Sequence, residues 1–230
     1  MTGRGGQPTP TNGRRRARPS WVIAARAVAK PAEQARYERI VQVAETMLVQ
    51  LGEQGFQMKQ LAERSEVALA TLYRYFPSKD HVLGAIALAR IARAVSLEPV
   101  RRYSGRTAGE RTAEQLVRLF DASQREPEIW SSLQRVMMAP DRSMSQVVER
   151  LYSAFEEMIL LAISFHGDPP TAEQRMLVPM VISARNGATA NWLVGFVSSE
   201  QARTQIRVAA HLLDLPAEQI RQVLSAAGVV

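Results

Sequence analysis

The chain has 230 residues, of which 46% are hydrophobic and 22% are charged, and its formal net charge is +7 at pH 7. This length is enough for a small domain and a larger one with its own hydrophobic core. The absence of cysteine, three widely separated histidines, and the lack of a phosphate loop or nucleophile elbow argue against an enzyme, a metal site or a bound cofactor.

Residues 1–31 form a basic leader that is rich in Gly, Pro, Thr and Arg and shows no sustained helical periodicity before Trp21. Residues 1–40 carry nine basic and two acidic side chains, so the positive charge is concentrated at this end of the chain. We expect residues 1–31 to be a disordered arm. A secretory signal is not predicted, because Arg26 interrupts the apolar stretch after Trp21 and Lys30 and Pro31 follow it.

Residues 32–78 have the pattern of a helix-turn-helix braced by a longer helix. The long helix is predicted from a stripe at helical spacing and ends at Gly52 and Gly55; its members are Tyr37, Ile40, Val41, Ala44, Met47, Leu48 and Leu51. A short helix follows from about Met58 to Arg64, and a second begins near Ala68 and buries Leu72 and Phe76. Two short helices joined by a tight turn make a shape that fits the major groove of DNA.

Polar side chains on the second short helix make DNA binding plausible. Thr71, Tyr73, Arg74 and Tyr75 are predicted to point away from the buried face, where hydroxyl and guanidinium groups reach phosphates or base edges. Lys79, at the start of the next helix, suits a phosphate. The basic arm, with Arg14, Arg15, Arg16 and Arg18, would enter the adjacent minor groove or pair with phosphates. The alternatives are ordinary packing of the aromatic rings and a solvated tail that only aids solubility.

Residues 33–93, with the block Tyr73-Arg74-Tyr75-Phe76-Pro77-Ser78-Lys79, resemble the DNA-binding domain of the TetR family of bacterial repressors. The resemblance implies an all-α homodimer whose amino-terminal three-helix domains bind a palindromic operator and whose larger helical domains bind a small effector. It also implies that DNA is contacted at Lys59, Thr71, Tyr73, Tyr75 and Lys79. That block and Asn191-Trp192-Leu193 are loosely similar to actinobacterial repressors of steroid and lipid catabolism.

Three positions depart from the family pattern. Glu66 stands in the turn where the family usually has Gly, and Ala68 stands at the start of the recognition helix where it usually has Ser. Loss of that cap would cost about 1 kcal/mol of local helix stability. Leu69 stands where a polar residue is common, which indicates an apolar contact with a thymine methyl group.

Residues 79–230 are predicted to form a purely helical domain, since no run alternates apolar and polar residues. The predicted helices run from Lys79 to about Leu97, from a capping box at Thr107 and Glu110, from Pro127 through Met138, from Met144 through Ala162, from a box at Thr171 and Gln174 to Val197 with a bend at Pro179, from Ser198 and Gln201, and after Pro216.

Two activities are predicted for this domain. Small residues at helical spacing, followed by an apolar stripe on the next helix, favour dimerisation; they are Ala184, Ala188, Asn191 and Gly195, with Ile206 and Ala209. Six of the nine methionines lie between Met137 and Met180, which suits a pocket for a bulky apolar ligand. The candidate ligand residues are Phe120, Trp130, Met137, Met138, Phe155, Met158, Met180, Asn186 and Asn191. Packing inside the protomer is the alternative for both sets.

The sequence therefore predicts a ligand-responsive repressor in the cytoplasm that binds double-stranded DNA as a homodimer and is released by a sterol-derived, acyl-CoA or drug-like effector. A membrane partner is not expected, because Arg185, Asn186 and Asn191 interrupt the apolar stretch from Leu177 to Val197. The alternatives are a helical enzyme or lipid-binding protein that does not bind specific DNA, and a structural DNA-binding protein that is indifferent to sequence.

Overall fold

The computed structural model describes residues 31–97, 103–138, 142–167 and 169–228, and regular structure in these ranges is entirely helical. The prediction of an all-α fold is confirmed. Ten α-helices lie in the described ranges: α1 (Pro31–Gly55), α2 (Met58–Arg64), α3 (Leu69–Tyr75), α4 (Lys79–Leu97), α5 (Ala108–Ser123), α6 (Pro127–Met137), α7 (Ser145–Ile163), α8 (Ala172–Leu193), α9 (Ser199–His211) and α10 (Ala217–Ala226).

Helices α1 to α3 form a compact head. The inward side of α1 carries Ile40, Val41, Ala44, Met47 and Leu48, all buried as the periodicity predicts. The core of the head is completed by apolar residues that follow along the chain, namely Phe56, Leu61, Leu72 and Phe76. Leu51 is 39% exposed and does not extend this stripe, because the backbone leaves helical geometry at Gly52, where φ is 65° and ψ is 178°.

The turn between α2 and α3 explains why the family prefers glycine there. Glu66 has a φ of 55°, in the left-handed region that favours glycine. The amide of Val67 donates to the carbonyl of Ala62 at 3.0 Å, and the amide of Glu66 donates to that of Glu63 at 3.1 Å. This arrangement ends α2 with a left-handed residue where glycine is usual. Ala68 then begins α3 without a side-chain cap, so two departures from the family pattern weaken one turn.

The larger domain, α4 to α10, begins three of its helices with the predicted capping boxes, at Thr107 and Glu110, Thr171 and Gln174, and Ser198 and Gln201. Helix α8 contains Pro179, as predicted, but ends at Leu193 rather than Val197. Gly195 adopts a φ of 74°, and the amide of Phe196 returns to the carbonyl of Asn191 at 2.8 Å. Gly195 is therefore the turn residue that ends α8, not a member of a helical face.

Helix α4 belongs to both parts of the molecule, because it packs against α1 of the head and against α6 and α7 of the larger domain. Its buried side includes Val82, Leu83, Ile86 and Ile91. Behind it, α7 buries Phe155 and its neighbours, and α5, α8 and α9 complete the core. None of the helices in the described ranges is both long enough and apolar enough to cross a membrane.

We predict that Glu66→Gly raises the free energy of unfolding by about 1 kcal/mol, because glycine adopts the observed φ without a Cβ penalty. Chemical denaturation followed by circular dichroism measures the change. Glu63→Gly is the matched control: it lies inside α2, where glycine costs about 1 kcal/mol, so the two substitutions should shift stability in opposite directions. Destabilisation by both would contradict the interpretation of Glu66 as strained.

Candidate DNA interface and effector core

The exposed side of the helix-turn-helix carries several of the predicted DNA contacts. On α3, Leu69 is 40% exposed and Tyr73 is 45% exposed; they are four residues apart and so share one face of the helix. Arg74 beside them is exposed, and Lys59 on α2 is exposed as well. Thr71 is half-buried. The opposite side of α3 holds Leu72 in the core, so the helix is anchored with this face turned outward.

Tyr75 lies differently from its prediction. Its ring contacts Tyr37 edge-on, with centroids 6.4 Å apart, and Phe76 at 6.3 Å, and its hydroxyl is buried without a hydrogen-bond partner. The expectation that Tyr75 points outward needs correction, because it lies three residues after the buried Leu72 and so turns toward the same core. Arg74 covers the outer side of this ring, with its guanidinium 5.7 Å from the ring centroid.

Lys79 is engaged inside the protein. Its ammonium group donates to the backbone carbonyl of Glu53 and lies 5.9 Å from the centroid of the Phe56 ring. The carbonyl belongs to the irregular end of α1, so Lys79 ties that end to the start of α4. An ammonium has three donors, and this contact uses one of them. A phosphate contact would therefore add to a structural role.

Charge is distributed unevenly along the chain. Residues 1–30 contain seven basic side chains and no acidic one, whereas residues 31–230 contain 22 of each sign. Arg14, Arg15, Arg16 and Arg18 are among the first group and lie outside the described residues. The helical body is thus neutral overall, and the whole excess of positive charge belongs to the segment that precedes α1.

Two groups of ion pairs connect the head to α6. Arg135, near the end of α6, pairs with Glu53 of α1 and with Asp80 of α4, the latter at 3.1 Å. These pairs raise the pKa of Arg135. At the other end of α6, Arg90 of α4 lies 2.8 Å from Glu45 of α1 and 2.5 Å from Glu126, the residue before α6. Both ends of α6 are therefore held against α1 and α4.

Sequence reasoning did not find these ion pairs. Arg135 and Glu53 are 82 positions apart, and no local pattern links them. Next to the Arg135–Glu53 ion pair lies a groove of about 810 Å³, whose lining includes Gly52, Lys79, Pro127, Ser131 and Leu193.

The predicted ligand residues divide into two groups. Phe120, Phe155, Met158 and Asn186 are fully buried, Trp130 and Met137 are nearly so, and they come from α5 to α8. Asn191 is half-buried. Met138 and Met180 are 52% and 54% exposed, so their assignment to an enclosed pocket needs correction. Met180 follows the buried Val178 by two residues, which turns it to the outer side of α8.

The residues predicted to form the dimer interface also fall into an exposed group and a buried group. Ala184 is exposed on α8, but Ala188, Ile206 and Ala209 are at most 7% exposed and pack inside the protomer, which is the alternative that sequence reasoning left open. Those three assignments need correction. The exposed large apolar residues of the region are instead Met176, Met180, Val194 and Phe196 on or just after α8 and Val208 on α9, which are 36%, 54%, 78%, 78% and 63% exposed.

Both parts of the chain match known sequence families. Residues 40–86 match the profile described as "Bacterial regulatory proteins, tetR family", and residues 105–213 match "Tetracyclin repressor-like, C-terminal domain". The chain is 30% identical to the HTH-type transcriptional repressor KstR of Rhodococcus jostii (strain RHA1), over 81% of this chain and 83% of that one. It is 26% identical to KstR of Mycobacterium tuberculosis, over 84% and 86%.

Solved structures agree with this result. A TetR transcriptional regulator from Rhodococcus sp. RHA1 superposes with a TM-score of 0.69 at 26% identity, covering 79% of this chain and 97% of that one. Thermus thermophilus FadR, a repressor solved in complex with lauroyl-CoA, superposes with a TM-score of 0.59 at 16% identity, over 77% and 92%, which shows a shared fold. On its helical architecture, its helix-turn-helix and these matches, the chain belongs to the TetR family of transcriptional regulators.

Proposed function

We propose that this protein is a ligand-responsive repressor that binds a palindromic operator as a homodimer and releases it when a small lipophilic effector binds the larger domain. The observation that carries the proposal is the anchored, outward-facing α3, whose exposed side presents Leu69, Tyr73 and Arg74 while its other side forms the core of the head. The proposed role places the protein with the DNA in the cytoplasm.

Specificity and affinity have different sources in this proposal. Leu69 and Thr71 contact base edges in the major groove, with Leu69 against a thymine methyl group. Tyr73, Arg74 and Lys59 contact the backbone and position the helix. The arm neutralises further phosphates through Arg14, Arg15, Arg16 and Arg18, since the body has no net charge to contribute. Tyr75 acts through the core that supports α3.

A homodimer is proposed to form through the outer side of α8 and α9. Met176, Met180 and Ala184 recur at four-residue intervals and are all exposed in the protomer, so they form one stripe along α8. Val208 adds an exposed apolar side chain on α9, which packs beside α8. A palindromic operator requires two recognition helices related by a two-fold axis, and these are supplied by a second copy of this chain.

Effector binding is proposed to reach the head through α6 and α4. The inner side of α6 carries Trp130 and Gln134 in the core, both of its ends are ion-paired to α4, and Arg135 also pairs with Glu53 of the head. A ligand that displaced α6 would strain those pairs and rotate α4. Half-sites about 34 Å apart are matched at one separation of the recognition helices, so a small rotation weakens binding.

The experiment that tests the function is protection mapping and fluorescence anisotropy on DNA upstream of the protein's own coding region. We expect a symmetric protected site, bound roughly 10³-fold more tightly than a shuffled duplex of equal composition. A total lipid extract should release it. Failure to bind at low salt would favour the helical lipid-binding alternative, and equal affinity for both duplexes would favour a structural DNA-binding protein.

Two tyrosine substitutions distinguish the interface from the core. Tyr73→Phe removes an exposed hydroxyl and should weaken operator binding roughly tenfold, the loss of about 1.5 kcal/mol from one hydrogen bond to a charged group. Tyr75→Phe is the matched control: it removes a buried, unpartnered hydroxyl, so operator affinity should be unchanged and thermal stability unchanged or higher. Equal losses of affinity in gel-shift titrations would contradict this division of roles.

The dimer surface is tested by Met180→Glu. A carboxylate at this position would be buried against apolar groups when two copies associate, so we expect the variant to be a monomer and to lose operator affinity. Light scattering coupled to size-exclusion chromatography measures the mass. Leu161→Glu, at a residue of α7 that is 42% exposed, is the control and should remain dimeric. A dimeric Met180→Glu would rule out this surface.

A further inference from the structure

An arginine without a counter-charge is enclosed in the larger domain. Arg185 of α8 is fully buried, and its guanidinium lies 4.9 Å from the centroid of the Phe155 ring. Nη1 donates to Oδ1 of Asn186 at 3.0 Å, whereas Nε and Nη2 have no hydrogen-bond partner. Burial lowers the pKa of Arg185 to about 10, so the group is still protonated at neutral pH. No carboxylate in the described ranges pairs with it.

Two further unsatisfied donors belong to the same region. The Nδ2 group of Asn186 and the indole Nε1 group of Trp130 are buried without a partner. Gln134 donates to the backbone carbonyl of Asn186 at 3.2 Å, which joins α6 to α8 at this point. Trp130 lies four residues before Gln134 and therefore shares its face of α6. All four orphaned groups are donors, so the cluster lacks an acceptor.

Arg111 shows how this protein satisfies a buried arginine that serves only structure. Its Nε donates to the carbonyl of Ala162, its Nη2 to that of Ile163 and its Nη1 to that of Arg106, at 2.7 to 2.8 Å. These contacts complete the end of α7. Arg185 has no comparable set of carbonyls, although it is buried more completely. A buried, uncompensated charge destabilises a fold, so its presence calls for a compensating ligand.

The arrangement of the free donors selects the chemistry of that ligand. Nε and Nη2 lie along one edge of the planar guanidinium and present two parallel N–H groups, the geometry that receives both oxygens of a carboxylate. A thioester or an ester offers a single carbonyl oxygen without a negative charge, so it matches the two parallel N–H groups less well than a carboxylate does. The neighbour that the guanidinium faces is apolar, the ring of Phe155, and the buried Met158 lies one helical turn along α7.

We infer that Arg185, with Asn186 and Trp130, binds the carboxylate of an apolar organic acid, and that such an acid is the effector class of this protein. The inference rests on the proposed function for its regulatory meaning, but the binding itself is independent of DNA. The ligand so defined has a long or polycyclic apolar body and a free acid at the end that enters the core.

The test compares acids with matched neutral derivatives on the full-length protein without DNA. Dodecanoate, hexadecanoate and lithocholate are titrated against their methyl esters, and the two fatty acids also against their CoA thioesters, with tryptophan fluorescence and thermal shift as readouts. We expect at least one acid to bind at least tenfold more tightly than its ester and its thioester. If none of the acids binds, or if esters or thioesters bind as tightly, the inference is wrong.

Substitutions assign the preference to Arg185. Arg185→Met should reduce the ratio of acid to ester affinity to within about twofold and leave the melting temperature unchanged or higher, because it removes an uncompensated buried charge. Arg185→Lys keeps a charge without the paired donors and should give an intermediate ratio. Arg111→Met is the matched control, and should lower the melting temperature while acid preference is retained at a temperature where it is folded. An unchanged acid preference in Arg185→Met overturns the assignment.

The two proposals fail in distinguishable ways. A protein that binds acids but not promoter DNA would refute the repressor and leave the acid site standing. One that binds the operator but shows no acid preference would refute the acid site alone.

Discussion

The position of α4 constrains the rest of the molecule. Gly84 lies in its second turn, and a Cβ there would overlap the Cγ1 methyl group of Val147 on α7. The side chain of Val147 therefore lies directly against the backbone of α4 at this point, and Leu83 and Ile86 nearby are fully buried. One turn earlier, Lys79 connects the same helix to the end of α1, and Asp80 pairs with Arg135 of α6. Because α4 is packed this tightly against α7 and also contacts α1, a shift that the larger domain imposes on α4 would be carried to the head.

Helix α6 is well placed to impose such a shift. Its inner face carries Trp130, one of the unsatisfied donors, and Gln134, which donates to α8. Glu126, just before the helix, pairs with α4, and Arg135 near its end pairs with α1 and α4. A shift of α6 would part Glu126 from Arg90, whose side chain is 13% exposed and which would then keep Glu45 of α1 as a partner. An effector needs to supply only 1 to 3 kcal/mol of differential binding, the usual size of allosteric coupling, to favour one arrangement.

Local chemistry made much of the fold predictable, whereas tertiary packing decided what was missed. The three capping boxes, the bounds of α2 and α4, and the turn at Glu66 follow from residues within a few positions of one another. Tyr75, Met180, Ala188 and Ile206 could not be placed in the same way, since helical spacing does not say which neighbour a side of a helix meets. The ion pairs of Arg135 and the unsatisfied edge of Arg185 depend on contacts between distant segments, so they appear only in three dimensions.

DNA recognition likewise depends on both local structure and packing against distant residues. Helix α3 has seven residues, too few to be stable alone, and it starts without a cap after a strained residue. The helical structure of α3 therefore depends on Leu72 and Phe76 remaining packed in the head, and base recognition by α3 depends on that packing. For attraction to the duplex we propose a second source in the leader, because residues 31–230 are electrically balanced and the excess charge precedes them. On this proposal, a change in the head would alter both which sequence is bound and how tightly, and a change in the leader would alter only how strongly any duplex is held.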